Sequence, residues 1–280
     1  MTKLDAVRVV SLKTNNCELP LCCAPLLFFR LVCNHSLTSV LSHQLCRYSI
    51  ENAVNDLKEL VRALNLNKFH ILGHSFGGVV AYEYAKSCLE EDDDQQQHEC
   101  LSLTLSNTPA NMKLSHTVSS RLLQSIIDNE VMSDDEIDSN TASNMSVSKI
   151  AQERFQKRYE CRTENIPDSL VTAIQSRGFI FGPEHVREYV ARPPTHLLLS
   201  SSPRGVNSQP TKLLPPVLLI RGEHDFVTQE CTSGWRKIFT TDTTLAYREE
   251  VMSNCAHYPH LENPQAFCEI IKSQCFINDY

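Results

Sequence analysis

A serine, an aspartate and a histidine stand at positions in this sequence where they could form a catalytic triad. Ser75 lies in the stretch Gly-His-Ser-Phe-Gly-Gly, which follows an apolar run and has the form of a nucleophile elbow. In such a turn, glycines two residues before and after the serine let a helix pass close to the preceding strand. The backbone N–H of the next residue, Phe76, would point to where an oxyanion forms. The pattern predicts that Ser75 is a nucleophile, and a tight glycine turn without chemistry is the alternative.

A serine hydroxyl needs a general base, and the base needs an orienting carboxylate. Asp225 follows the apolar run 217–220, and His257 follows the alternating segment 246–252. Loops at the carboxyl ends of parallel strands meet at one edge of a sheet, so these side chains can converge on Ser75. The chain order serine, aspartate, histidine is that of the α/β hydrolases. We expect His257 to be the base and Asp225 to orient it, with His260 as the alternative base.

Three histidines in the same part of the chain allow a second hypothesis, which is a metal site. His224 precedes Asp225, and His257 lies three residues before His260, a spacing at which two imidazoles can share an ion. A metal site would leave the elbow around Ser75 unexplained. We therefore expect no metal and no cofactor.

The segments that would position these residues alternate between helix and strand patterns. Apolar residues at three- and four-residue spacing predict an amphipathic helix over 50–64. A strand over 69–72, a helix over 79–86 and a strand over 101–105 are predicted to follow. The pattern returns later with strands at 217–220 and 246–252, a helix over 227–239 and a last helix after Pro264. This alternation predicts an α/β fold with a doubly wound, mostly parallel sheet.

The pattern between these two parts is helical, notably at 148–159 and 168–177, and it ends in a tract rich in proline and serine. We therefore expect three regions. Residues 1–111 would form the N-terminal part of the core, 112–210 an inserted helical cap, and 211–280 the C-terminal part of the core.

Composition limits the partners that this chain can have. Its net charge is −7, and it has no basic stripe, so we expect no nucleic-acid partner. The twelve cysteines are scattered without a Cys-x-x-Cys pair, which is typical of thiols in a reducing compartment. No apolar stretch reaches the length of a membrane span. We therefore expect a cytoplasmic protein with no membrane partner.

Four segments resemble the proline iminopeptidase branch of the α/β-hydrolase superfamily. They are YSIENAVNDLKELVRALNLNKFHILGHSFGGVVAYEYA, LTLSNTPA, VLLIRGEHDFVTQE and CAHYPHLENPQAF. The resemblance implies an α/β-hydrolase fold with a helical cap, and it implies Ser75 as nucleophile, Asp225 as orienting carboxylate and His257 as general base. It also implies a serine aminopeptidase that releases N-terminal proline, or another small residue, from short peptides or amides through an acyl-enzyme. Glu184 would then help to bind the α-ammonium group of the substrate.

The chain departs from that family in three places. Glu184 lies about one position early relative to the family's Gly-Pro-x-Glu, and Phe226 stands where some relatives have an acidic residue. The family's His-Gly-Gly-Pro-Gly loop, which supplies a second oxyanion N–H, is absent after Phe29, and the total of eight glycines agrees with that loss. Two alternatives therefore stay open: an esterase or amidase of the same fold, and a catalytically impaired scaffold that acts as a binding protein. A shortened gene model or splice form would also produce the third departure.

Overall fold

The structure is a computed structural model, and its central feature is a mostly parallel β-sheet. The residues that it describes are 8–9, 26–30, 50–90, 98–131, 144–168, 170–171, 213–240 and 244–279. The strands in this part of the chain are β1 (Arg8–Val9), β2 (Leu26–Arg30), β3 (Lys68–His74), β4 (Glu99–Ser106), β5 (Val217–Gly222) and β6 (Tyr247–Met252). They lie in the sheet in chain order, with β1 antiparallel to β2 and every later pair parallel. The predicted parallel α/β sheet is therefore confirmed.

Helices connect and cover these strands. They are α1 (Ile50–Ala63), α2 (Phe76–Glu90), α3 (Met112–Ile126), α4 (Asn144–Phe155), α5 (Gln229–Phe239), α6 (Pro259–Glu262) and α7 (Pro264–Ile277). Two of them continue into π-helical turns, α3 into Ile127–Val131 and α4 into Gln156–Glu160. None of the helices in the described ranges is long and apolar enough to cross a membrane.

The sheet is covered on both faces, which explains why its strands read as apolar runs. Ile71 of β3 and Leu219 of β5 belong to the core that α1, α2 and α5 cover. Leu72 and Leu218, one position along each strand, belong to the core that α7 covers. Successive side chains of a strand point to opposite faces, so a shift of one residue would exchange the two sets of apolar side chains between the cores. Both cores therefore favour the same pairing register of the strands.

Strand β4 carries alternating polar residues that are buried rather than exposed. Its Ser102, Thr104 and Ser106 side chains are at most 2% exposed, because helices cover both faces of the sheet. Buried polar groups require hydrogen-bond partners. Ser102 Oγ lies 2.8 Å from His70 Nδ1, and His70 Nε2 lies 3.1 Å from Asp279 Oδ1. The alternation that predicted the strand therefore marks a polar network inside the core.

The helices between β4 and β5 pack against each other, and α3 also packs against α5. Asn111 caps α3, because its Oδ1 accepts the N–H of Leu114 at 3.0 Å. Ile126 of α3 and Phe155 of α4 share an apolar cluster. The helix expected at 148–159 corresponds to α4 and its π-helical turn. The helix expected at 168–177 and the tract that follows it lie mostly outside the described residues, so the three-region division stays a prediction.

Candidate active site

Ser75 occupies a sharp turn between β3, which ends at His74, and α2, which begins at Phe76. Its φ of 54° lies in the left-handed region, which is unfavourable for a residue with a side chain. Backbone hydrogen bonds hold this conformation: the N–H of Ser75 donates to Ser106 O at 2.8 Å, and its carbonyl accepts the N–H of Gly78 at 3.0 Å. Such local strain persists only where the surrounding structure determines it, and it is frequent at functional sites.

Glycines around this turn let helix and strand approach closely. A Cβ on Gly73 would lie 2.5 Å from the Cα of Gly78, a distance that real side chains do not tolerate. A Cβ on Gly78 would lie 2.7 Å from Cγ2 of Thr108, in the segment that follows β4. Gly73 and Gly78 are therefore required by the passage of α2 across the ends of β3 and β4. Gly73 is the glycine expected two residues before the serine, whereas Gly78 lies three residues after it rather than the expected two.

The structure brings Ser75, His257 and Asp225 together, although 182 positions separate the serine from the histidine. Ser75 Oγ lies 3.0 Å from His257 Nε2, and His257 Nδ1 lies 2.9 Å from Asp225 Oδ1. His257 is 4% exposed and Asp225 2% exposed. In the tautomer that satisfies all three groups, Nδ1 donates to the carboxylate and Nε2 accepts from the serine hydroxyl.

The Asp225 carboxylate is fixed from a second side by Asn107, a residue that sequence reasoning did not single out. Asn107 Nδ2 donates to Asp225 Oδ2 at 2.6 Å and to Ala256 O at 3.1 Å, and the residue is fully buried. The N–H of Val227 donates to Asp225 Oδ1 at 2.9 Å. The available signal was an asparagine directly after a strand, because asparagine tolerates the left-handed φ of 53° found here.

An aromatic ring lies against the imidazole of His257. The centroid of the Phe226 ring is 4.4 Å from that of His257, and Phe226 also contacts the ring of Phe155 in α4. The N–H of Phe226 donates to Tyr159 O at 3.4 Å, and the N–H of His257 donates to Glu160 O at 3.0 Å. The π-helical turn after α4 therefore contacts both loops that carry the partners of Ser75.

The other histidines occupy different positions. His260 is buried in the short helix α6, and its ring lies 5.8 Å from that of Phe267 and 4.9 Å from that of His74. His224 faces its neighbour Glu223, with Nε2 3.8 Å from Oε2. Within the described ranges, no group of three or more His, Cys, Asp or Glu side chains is arranged to hold a metal.

A thiol close to the histidine is a poor competitor for the nucleophilic role. Cys255 lies two residues before His257 and is buried. Burial raises the pKa of its thiol to about 11, so Cys255 is protonated at neutral pH. Because the thiolate is the reactive form of cysteine, Ser75 is the better candidate.

Glu262 contacts the backbone around His257 and is a second residue that sequence reasoning missed. Its Oε2 accepts the N–H of Ala256 at 2.7 Å, and its Oε1 accepts the N–H of Tyr258 at 2.9 Å. Burial raises the pKa of this carboxyl above its usual value, and the N–H donors act in the opposite direction. Only the spacing of five residues from His257 links the two in sequence, and that spacing alone is uninformative.

Of the other two predicted site residues, Phe76 lies within the described part of the chain and Glu184 does not. Phe76 is the first residue of α2, so its N–H lies at the positive end of that helix dipole. Glu184 lies outside the described residues, as does the segment 31–49, which follows the strand after which the resembled family has its oxyanion loop.

Several solved structures resemble this chain. Proline iminopeptidase from Mycobacterium smegmatis has a TM-score of 0.62 and 20% identity, over 88% of this chain and 77% of that one. VinJ has a TM-score of 0.57 and 18% identity, over 88% and 78%. A membrane phospholipase A described as a bacterial virulence factor has a TM-score of 0.51 and 16% identity, over 86% and 66%. At these identities the likeness concerns the fold alone. Among curated proteins, no sequence matches the chain significantly.

The sequence itself matches a known family over most of its length. Residues 34–264 fit the family model described as the alpha/beta hydrolase fold. The match spans the parallel strands β3 to β6, the elbow between β3 and α2, and the helices between β4 and β5. The chain therefore belongs to the α/β-hydrolase fold family.

Proposed function

We propose that this protein is a serine hydrolase that works through an acyl-enzyme. Ser75 is the nucleophile, His257 the general base and Asp225 the carboxylate that orients the base. The observation that carries this proposal is the hydrogen-bond chain from Ser75 Oγ through both imidazole nitrogens to Asp225, with distances of 3.0 Å and 2.9 Å. A merely structural turn would have no need of a buried base and carboxylate in line with its serine.

In the first half of the reaction, His257 Nε2 removes the proton from Ser75 Oγ as the oxygen attacks the substrate carbonyl. The new C–O bond gives a tetrahedral intermediate with a negative oxygen. Asp225 accepts from Nδ1 and stabilises the imidazolium that forms. His257 then gives the proton to the departing amine or alcohol, the bond to that group breaks, and an ester remains on Ser75.

In the second half, water attacks the ester and His257 takes its proton. Collapse of the second tetrahedral intermediate returns the proton to Ser75 Oγ and releases the carboxylic acid. The N–H of Phe76 stabilises the oxyanion in both halves. One oxyanion donor is worth about 2.7 to 4 kcal/mol, so an incomplete oxyanion hole lowers kcat by roughly a hundred- to a thousandfold.

For the substrate we propose an N-terminal prolyl peptide or amide, so that the acyl group on Ser75 is the prolyl residue. The four sequence segments that resemble proline iminopeptidases support this choice, because they include the strand ends and loops that hold all three proposed catalytic residues. Glu184 is the proposed carboxylate for the substrate's α-ammonium group.

One observation favours a second candidate, an esterase or amidase for uncharged acyl groups. The Phe226 ring lies 4.4 Å from the ring of His257 and joins the apolar cluster of α4. Phe226 supplies no carboxylate at the position where some relatives have an acidic residue, and its apolar ring beside the base favours an uncharged acyl group.

The proposal is tested with a fluorophosphonate probe and two substrates. Wild-type protein should be labelled on a single residue, and Ser75→Ala should abolish the labelling while the thermal melt stays cooperative. The rates on a prolyl arylamide and on a p-nitrophenyl ester then separate the two candidates. Folded wild-type protein that is not labelled would contradict the hydrolase proposal and favour the alternative of a binding scaffold.

A further inference from the structure

Glu262 joins three segments of the chain, and the proposed reaction does not use it. It is the last residue of α6. Its Oε2 accepts the N–H of Ala256 at 2.7 Å and that of Arg162 at 3.3 Å, and its Oε1 accepts the N–H of Tyr258 at 2.9 Å. The backbone N–H groups of the residues before and after His257 thus donate to the same carboxylate.

The intervening peptide group is fixed as well. The N–H of His257 donates to Glu160 O at 3.0 Å, so three consecutive N–H groups, from Ala256 to Tyr258, are all hydrogen-bonded. Two of the acceptors belong to Glu262 and the third to the turn that follows α4. Arg162, which also donates to Glu262, lies two residues after that turn. The backbone of the histidine loop is therefore attached both to α6 and to the inserted helical region.

The ionised form of Glu262 suits this arrangement. It offers two acceptor oxygens and no proton, and hydrogen bonds to a charged acceptor are about twice as strong as neutral ones. A glutamine of the same shape has one acceptor oxygen, and its NH₂ group would face an N–H donor. Glutamine therefore cannot serve both Ala256 and Tyr258.

We propose that Glu262 is a positioning residue: its carboxylate holds the backbone on both sides of His257 and so keeps the imidazole in line with Ser75 and Asp225. This inference rests on the proposed function, because its effect is exerted on the reactivity of Ser75. A side chain that only ends α6 would contribute to stability but leave that reactivity unchanged.

Four full-length proteins test this inference: wild type, Glu262→Gln, Glu262→Asp and the control Glu269→Gln. Glu269 is an exposed residue of α7, so its variant repeats the chemical change away from the site. The first measurement is the second-order rate of fluorophosphonate labelling at a temperature where every protein is folded by thermal melt. The second is kcat and KM for p-nitrophenyl acetate.

Glu262→Gln should slow the labelling about tenfold, as expected for the loss of one charge-assisted hydrogen bond, and lower kcat rather than raise KM. Glu262→Asp, which keeps two acceptor oxygens, should lie between glutamine and wild type, and Glu269→Gln should match wild type. Equal labelling of wild type and folded Glu262→Gln would overturn the inference. If Glu262→Gln does not fold, Glu262→Asp tests the inference instead. A labelling rate of Glu262→Asp within twofold of the wild-type rate would also overturn the inference. Unlabelled wild type would instead contradict the proposed function.

Discussion

Asn107→Asp changes one atom of the side chain that fixes Asp225, and it should slow the proposed reaction strongly. Asn107 Nδ2 donates to Asp225 Oδ2 at 2.6 Å and to Ala256 O at 3.1 Å. In the variant an oxygen replaces this donor and faces the buried carboxylate at the same distance. Two carboxylates this close cannot both ionise without a large cost, so the pair must share a proton or move apart.

The size of the effect follows from the bond that is lost. A hydrogen bond to a charged group contributes about 1.5 to 3 kcal/mol. In the transition state His257 is positively charged and depends on an ionised, correctly placed Asp225. If the whole loss raises the free energy of the transition state, kcat falls about 10- to 150-fold. The backbone contributes little to this change, because aspartate tolerates the φ of 53° about as well as asparagine.

The assay is the rate of fluorophosphonate labelling of Ser75 together with kcat for p-nitrophenyl acetate. Asn65→Asp is the matched control, because Asn65 also has a positive φ, of 50°, but is exposed after α1. The control should stay within about twofold of wild type, since exposed substitutions rarely exceed about 0.5 kcal/mol. Folded Asn107→Asp protein that reacts as fast as wild type would refute the role assigned to Asn107.

Five further substitutions, in three sets, test the site and its supports. His257→Ala should abolish labelling, whereas His260→Ala should mainly lower the melting temperature; collapse of kcat in the second variant alone would reverse the assignment. Gly78→Ala should lower the free energy of unfolding by about 1 to 3 kcal/mol, because the new Cβ clashes with Thr108. Adding Thr108→Ala to that variant should recover part of the loss, as measured by chemical denaturation. Asp279→Ala removes the acceptor for Nε2 of the buried His70, so the free energy of unfolding should fall by about 1 to 3 kcal/mol. An unchanged denaturation midpoint would contradict this.

The fold and the elbow could be predicted because local constraints determine them. Glycines at 73 and 77 flank the serine, an apolar strand precedes it and a helix follows it, and each of these features acts over a few residues. The convergence of Asp225 and His257 on Ser75 could also be predicted, because each follows a recognisable strand and the carboxyl ends of parallel strands meet at one edge of the sheet.

Asn107 and Glu262 could not be predicted because their partners are remote or are backbone atoms. Asn107 donates to a side chain 118 positions away, and that pairing depends on the adjacency of β4 and β5. Among the described residues, Glu262 accepts only backbone N–H groups, and every residue except proline carries one. The asparagine after β4 therefore signals a turn but not its partner, and no residue type signals the contacts of Glu262, whereas the distances in the folded chain make both sets of contacts evident.

The turn that follows α4 contacts both loops that carry the proposed base and its carboxylate. Phe226 follows Asp225, and its N–H donates to Tyr159 O; the N–H of His257 donates to Glu160 O. The two acceptors are consecutive residues at the end of one π-helical turn, so this turn fixes one peptide group in the aspartate loop and one in the histidine loop. Asn107 connects the same two loops from the end of β4, because its Nδ2 donates both to Asp225 Oδ2 and to Ala256 O. The carboxylate and the imidazole are therefore held relative to each other by contacts from two different parts of the chain.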